Sequence, residues 1–395
     1  MNIGIFTDND FDKVNGVTTT LTAALRCAPA GMRLRIYTAS TLPVVQDDYL
    51  ALKSAGLPIP FYGEMRMYLP RLLSYVEHAR ADHLDVLHLT TPGPIGLAAL
   101  FVAWKLGLPL VGSFHTDLAA YTATLSGSAR LGSLMREYMR WPYGKCARVL
   151  VPSEHTRRML IGSKSDWRKI TLWPRGVDTQ LFTPAKRSLA LRERWHVSDK
   201  RPALLYVGRV SREKGLGILP RVRDRLHALG VEHRLIVVGQ GPMLPKLREQ
   251  LPDAVFTGAL SREAVAEAFA SADLFVFPSR TDTAGNVVLE AQASGLPVVV
   301  AGEGGPRENM ISGRTGLICY TDEAGEWASA IASMLKRSDL RGMREAARQF
   351  GVSRRWERAL EPLYRAYREV HAAREATAPP HVVPLATGPI RDVEL

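Results

Sequence analysis

Short apolar runs recur along this chain, each followed by a glycine-rich or polar turn and then by residues of helical periodicity. The runs at 2–7, 33–38, 86–89, 108–114 and 148–152 predict buried strands, and the loop 8–16 leads into a helix from Val17 toward Cys27. A polar stretch at 183–201 interrupts the pattern, which restarts with runs at 203–207, 234–238, 274–278 and 297–301. Strands alternating with helices argue a parallel, doubly wound sheet in each half. The expected architecture is α/β, with domains over about 1–185 and 200–350 joined by a linker near Pro184. Beyond them, Trp356, Leu360, Leu363, Tyr364 and Tyr367 fall at three-to-four-residue spacing within 353–375. That spacing predicts an amphipathic helix whose apolar face packs back on the first domain. Residues 376–395 hold four prolines and no period, which predicts a disordered tail.

Composition narrows the class. Hydrophobic residues make up 46% and charged residues 23% of the 395, which excludes a disordered or fibrous chain. Cys27, Cys146 and Cys319 are odd in number and far apart, so they form neither a zinc spacing nor a disulfide framework and fit a reducing compartment. The opening MNIGIFTDND lacks a signal-peptide pattern, and the longest apolar stretch, 95–104, is half of what a spanning helix needs. A soluble, cytoplasmic protein is expected.

The charge modifies this picture. Lys+Arg 51 against Asp+Glu 39 give a net charge of +12, which implies an anionic partner. Between 131 and 175, ten Lys/Arg accompany three Asp/Glu, with Met135, Tyr138, Met139, Trp141 and Tyr143 interleaved. The mixture reads either as a solvated basic helix or as one lying peripherally on an anionic membrane surface, at its inner face. No recognition motif accompanies the charge, so nucleic acid is not an expected partner.

Two clusters carry chemistry. Gly208-Arg-Val-Ser-Arg-Glu-Lys-Gly215 follows the run at 203–207 directly, so glycines let the backbone approach an anion while Arg209 and Lys214 bring two cations to one turn. Alone, these cations read equally as surface charges on a strand–helix turn, and the spacing is not that of a Walker loop. The second cluster runs from Phe277 to Glu290, with Asp282 in a loop and a helix opening near Gly285 or Asn286. The free N–H groups of Asn286, Val287 and Val288 would point out from that helix start toward a diphosphate. Glu290, about one turn inside, would reach a ribose edge. Asp282 and Glu290 also fit ordinary helix-start carboxylates, and only the two clusters together favour a nucleotide site. Ligands in open α/β sheets bind at the carboxyl ends of strands, here in a cleft between the domains.

In combination these motifs resemble family 4 of the retaining glycosyltransferases, over about residues 1–370. Phe6-Thr-Asp8 with Asn15-Gly-Val17 resembles the family's first-domain loop, Ser113-Phe-His-Thr-Asp117 its histidine segment, and Val151-Pro-Ser-Glu154 its short strand before the hinge. Arg175-Gly-Val-Asp178 with Phe182 resembles the hinge signature, Gly208–Gly215 the phosphate clamp, and Val238-Gly-Gln-Gly-Pro242 a further glycine turn. Asp282-x7-Glu290 falls where the family usually has Glu-x7-Glu, and Ala284 stands where many relatives carry a bulky residue. Both departures bear on donor-sugar identity.

The resemblance implies a GT-B fold, two Rossmann-like domains facing across a cleft, with the C-terminal helix returning to the first. It implies transfer of a hexose from a nucleoside-diphosphate sugar to an acceptor hydroxyl with retention, without cofactor or metal; the chain has no convincing Asp-x-Asp motif. His115, Arg209, Lys214 and Asp282 are the implied catalytic residues, with His115 against the donor sugar and acceptor. Gly16, Arg209, Lys214, Gly285, Asn286, Val287 and Glu290 are the implied donor-binding residues. The most similar subgroup joins GDP-mannose-dependent α-mannosyltransferases and sulfolipid-synthase-like enzymes, which implies mannose as donor sugar and a lipid or glycan acceptor at the membrane. A UDP-sugar-dependent glucosyl, glucuronosyl or sulfoquinovosyl transferase stays open, as do an epimerase or an inactive binder of the same fold. A dinucleotide oxidoreductase is disfavoured, because Asn-Gly-Val and not G-x-G-x-x-G opens the first helix.

Overall fold

The apolar runs form two parallel sheets in the computed structural model, which describes residues 1–377 apart from 10, 12–14, 60–61, 163–165 and 338. The expected tail therefore lies outside the described residues from 378 onward, as does part of the loop 8–16. The first sheet has eight strands, in spatial order Ile170–Leu172, Arg148–Val151, Leu110–Ser113, Val86–Leu89, Asn2–Phe6, Arg33–Ser40, Tyr49–Lys53 and Val44–Val45. All neighbours are parallel except the last pair. The second has six, all parallel, in the order Val255–Gly258, Arg234–Val238, Ala203–Val207, Leu274–Phe277, Val298–Ala301 and Gly316–Cys319.

The central strands Val86–Leu89, Leu110–Ser113, Ala203–Val207, Leu274–Phe277 and Val298–Ala301 are buried along their whole length because helices cover both faces, so they read as continuous apolar runs and not as alternation. In the second sheet the strand order reverses direction between Ala203–Val207 and Leu274–Phe277. In the first it reverses between Asn2–Phe6 and Val86–Leu89. A crevice opens at each such switch point, and the loops that leave these strands are the ones that carry the predicted chemistry.

The loop after Phe6 is tied down by Asp8, whose carboxylate accepts from Ile95 N (2.8 Å), Gly96 N (3.1 Å) and Thr91 Oγ1 (3.1 Å) and so caps the Pro94–Leu106 helix. The helix Gly16–Arg26 begins where Asn15 Oδ1 accepts from Val17 N and Thr18 N, while Thr18 Oγ1 accepts from Asn15 N. The C-terminal helix, Glu361–Thr377, follows a short turn at Trp356–Ala359. It buries Leu363, Tyr364, Tyr367 and Val370 against Ile3, Ile5, Val86, Val111 and Leu150 of the first sheet. The returning helix thus belongs to the first domain's core. The three cysteines are free, and Cys146 and Cys319 are buried.

Candidate active site

The clamp turn is shaped by glycines that no other residue could replace. Gly208 N donates to Val238 O (3.0 Å) and Val210 N to Gln240 O (2.8 Å), which lays the turn 208–215 on the turn 239–241. At Gly239, with φ +136°, a Cβ would sit 1.9 Å from Gly208 O. Gly215, with φ +71°, ends the turn against Pro278 O. This close packing fixes Lys214 beside the loop after Phe277.

There Lys214 Nζ donates to Asp282 Oδ1 at 2.7 Å, an ion pair whose side chains are mostly buried. Burial acts against the Lys214 charge, but the Asp282 carboxylate, with Tyr121 and Tyr206 close by, outweighs it and holds the ammonium above the usual lysine range. Arg209 approaches Glu213 Oε1 at 4.0 Å, and Ser211 Oγ donates to the same buried carboxylate at 2.5 Å. Asp282 Oδ2 is buried without a hydrogen-bond partner among the described residues.

Three residues further on, Gly285 takes a left-handed conformation (φ +70°) that starts the helix Asn286–Ala293, and a Cβ there would meet Pro306 at 2.8 Å. Val288 N–H is used within the turn, donating to Gly285 O at 3.0 Å, which corrects the expectation that it faces a ligand. Asn286 N and Val287 N have no acceptor among the described residues. Among the described residues Asn286 Oδ1 is a second buried acceptor of this site without a partner, while its Nδ2 donates across the cleft to Gly16 O at 3.4 Å. Glu290 lies one turn in, and burial raises its carboxyl to about 7 although nearby Arg262 opposes the shift. Arg262 itself reaches the first domain, donating to Thr19 Oγ1 at 3.3 Å.

The site thus joins two cations, two unsatisfied N–H donors and two unsatisfied acceptors at facing switch points. Residues 14–181 match the family described as Glycosyltransferase Family 4, and residues 201–337 the one described as Glycosyl transferases group 1. A GDP-mannose-dependent alpha-mannosyltransferase of Corynebacterium glutamicum is 31% identical over 94% of this chain and 90% of its own length. The chain belongs to glycosyltransferase family 4. A sulfoquinovosyl transferase of Arabidopsis thaliana is 33% identical over 73% of this chain, which spans 57% of that protein. Among solved structures, sucrose-phosphate synthase from Thermosynechococcus elongatus superposes with a TM-score of 0.75 at 20% identity, covering 94% of this chain and 99% of the other. The fold is GT-B, and the protein is a glycosyltransferase.

In this family 4 glycosyltransferase His115 has a place that its sequence context did not reveal. Its Nε2 meets Ser113 Oγ at 2.7 Å and its Nδ1 meets Arg175 at 3.1 Å. Ser113 Oγ in turn meets His88 Nε2 (2.8 Å), and His88 Nδ1 meets the Tyr367 hydroxyl (2.6 Å). A guanidinium only donates, so Nδ1 of His115 accepts and the proton resides on Nε2. Burial, then the charge of Arg175, holds His115 well below the usual histidine range, and the same two causes bring His88 to about 3. Both ring nitrogens of His115 are therefore committed inside the first domain. What this residue turns to the second domain is its carbonyl, which accepts from Thr283 Oγ1 at 2.5 Å. His88, on the strand Val86–Leu89, is part of this network.

Tyr121, Glu213 and Thr283 are the site residues that sequence reasoning missed. Glu213 and Thr283 lie inside recognised motifs, but Glu213 acts through the fold of its own turn, while Thr283 and Tyr121 act through packing between domains that no spacing encodes. Among the described residues, no group of three or more His, Cys, Asp or Glu side chains could hold a metal ion.

Proposed function

We propose that this enzyme transfers a hexose from a nucleoside-diphosphate sugar to a hydroxyl of a lipid or glycan acceptor, with retention and with GDP-mannose as donor. The observation that carries the reading is the convergence of Lys214, Arg209 and the unsatisfied Asn286 and Val287 N–H groups beside the buried, unpartnered oxygens Asp282 Oδ2 and Asn286 Oδ1. Fixed donors of this kind stabilise the charge that develops on a departing diphosphate, the task a metal performs elsewhere. The unpartnered acceptors suit a ligand rich in hydroxyls. Asp282 then holds sugar hydroxyls, Glu290 the ribose, and Gly16 faces the diphosphate from the first domain. With Asp282 assigned to sugar hydroxyls and not to a double displacement, the departing phosphate oxygen takes the acceptor proton on the same face.

The mannosyl assignment draws on the 31% identical mannosyltransferase. The 33% identical sulfoquinovosyl transferase favours a second reading, a UDP-sugar donor. A thermal-shift panel with EDTA separates them. At 100 times its dissociation constant a ligand adds about 2.7 kcal/mol. Stabilisation by GDP and GDP-mannose alone is expected; a response only to uridine nucleotides supports the second reading, and silence from every nucleotide overturns both.

A membrane-bound acceptor is supported by the helix Ala129–Gly144. Leu131, Leu134, Tyr138 and Trp141 repeat at three-to-four-residue spacing and are exposed, Leu134 by 66% and Trp141 by 56%. Met139 and Tyr143 face the core instead, so the interleaved aromatics divide between packing and surface. Arg130 and Lys145 flank the stripe. Among the described residues no helix is long and apolar enough to cross a membrane, so docking would be peripheral. The protein is expected to float with vesicles containing anionic lipid at low salt and to be released as salt rises. Trp141→Asp should weaken binding without changing the melting temperature, and no binding at low salt removes the membrane from the proposal.

A further inference from the structure

The second domain reaches the first through a carboxylate that the donor site does not use. Glu308 lies on the short turn of helix Pro306–Asn309, just after Val298–Ala301. Its Oε2 accepts from the backbone N–H of Glu154 and its Oε1 from that of His155, both at 2.7 Å. These are first-turn donors of the first-domain helix Glu154–Gly162, groups that a helix start leaves unsatisfied. A carboxylate at the positive end of a helix makes charge-assisted bonds, here with both oxygens. The next donor, Thr156 N, is taken by Ser153 Oγ at 3.2 Å, so one residue from each domain caps the same helix.

The segment that carries Glu308 also braces the donor loop. Gly305 N donates to Asp282 O (2.8 Å), and Asn309 Nδ2 donates to Ala284 O (2.5 Å) and Gly285 O (3.3 Å). A Cβ at Gly305 would lie 2.0 Å from Thr283 O, so the two segments are in direct backbone contact. They must move as one body. Whatever holds Glu308 to the first domain also sets where Asp282 and the Asn286 helix start stand relative to Gly16 and His115. The other bonds that cross here, Thr283 to His115 O, Asn286 to Gly16 O and Arg262 to Thr19, each have an uncharged acceptor.

We propose that Glu308 is a positioning residue, a latch that holds the cleft in the geometry that receives the donor. The idea rests on the donor-site reading above and adds to it how the site is assembled. A site that binds only when closed has its affinity reduced by the fraction of molecules that are closed. Loss of the latch lowers that fraction, and with it the apparent affinity, more than it alters the chemical step.

Two variants test this from opposite sides of the contact. Glu308→Ala removes the acceptor. Glu154→Pro removes one of its donors, at a first helical position where proline is well tolerated. The measurements are the radius of gyration of the free protein by small-angle scattering, and KM for the donor against kcat. For each variant the radius of gyration should rise and donor KM should increase about tenfold, with kcat changed less than KM. The double variant should be no worse than the more severe single one, because both delete one contact. Wild-type scattering and KM in both variants, or effects that add, would overturn the proposal. If Glu308→Ala fails to fold, Glu154→Pro decides alone, since it leaves the second domain untouched. Scattering needs no donor, so a compact variant refutes the latch whatever the substrate turns out to be.

Discussion

Lys214→Ala should lower turnover by about 10²- to 10³-fold, the cost of removing one fixed cation or oxyanion donor from a transition state. In the free enzyme the ammonium is paired with Asp282 at 2.7 Å, and both side chains are largely withdrawn from water. On the proposed reading, the bound diphosphate competes for this ammonium and releases Asp282 toward the sugar. The resting pair thus keeps two charges satisfied until substrate arrives. Its removal also leaves Asp282 uncompensated in a poorly hydrated place, which lowers stability in addition to rate. The double change Lys214→Ala with Asp282→Ala separates these effects, because it deletes both charges together. Its melting temperature should exceed that of Lys214→Ala, while its turnover stays low. Turnover at the wild-type level in folded Lys214→Ala would refute the assignment of this cation to the diphosphate.

That resting pair was not legible in the sequence, although both of its members were. The clamp and the acidic helix start are local motifs, each a strand followed by glycines whose φ angles and close contacts admit little else, and such features survive in a linear reading. Which charged groups meet across a turn depends on side-chain direction. The strands show the same divide. Runs buried on both faces, such as Ala203–Val207, read plainly, whereas the edge strands Val44–Val45 and Gly316–Cys319, and Tyr49–Lys53 next to an edge, are short or partly exposed and carry little continuous apolar signal. The returning helix was legible because its apolar stripe needed a partner, and the first sheet supplies one.

His115 marks the limit of motif reading. Its context marked it as important, but the spacing could not reveal that Arg175, sixty positions away in sequence, donates to one ring nitrogen, or that Tyr367 closes the far end of the chain of bonds. The same holds for Glu308, which carries no motif signal in isolation and acquires meaning only against a helix start in the other domain. Long-range contacts between domains are the part of the site that only three dimensions display.

Affinity for the intact nucleotide sugar should rise as pH increases through about 7, and Glu290 is the reason. On the helix Asn286–Ala293 it stands four residues after Asn286, on the same face and one turn deeper. Burial raises its carboxyl to about 7, so the free enzyme carries it largely protonated at mildly acidic pH. A ribose diol donates hydrogen bonds best to the ionised form, so protonation withdraws the group that receives it. If only the carboxylate form binds, the dissociation constant at pH 5.5 should be about thirtyfold larger than at pH 8. The ligand should be the sugar conjugate and not the free diphosphate, whose terminal phosphate titrates near pH 6 and would obscure the effect. Stability of the free enzyme runs the other way. A carboxyl whose pKa is raised on folding binds more protons folded than unfolded, so its contribution declines as pH climbs from about 4.5 to 7. Opposite slopes for melting temperature and donor affinity over one pH interval are therefore the signature of this residue. Glu290→Gln should flatten both, with the weaker, pH-independent affinity of a site that has lost its carboxylate. A wild-type slope that persists in that variant would assign the titration to another group.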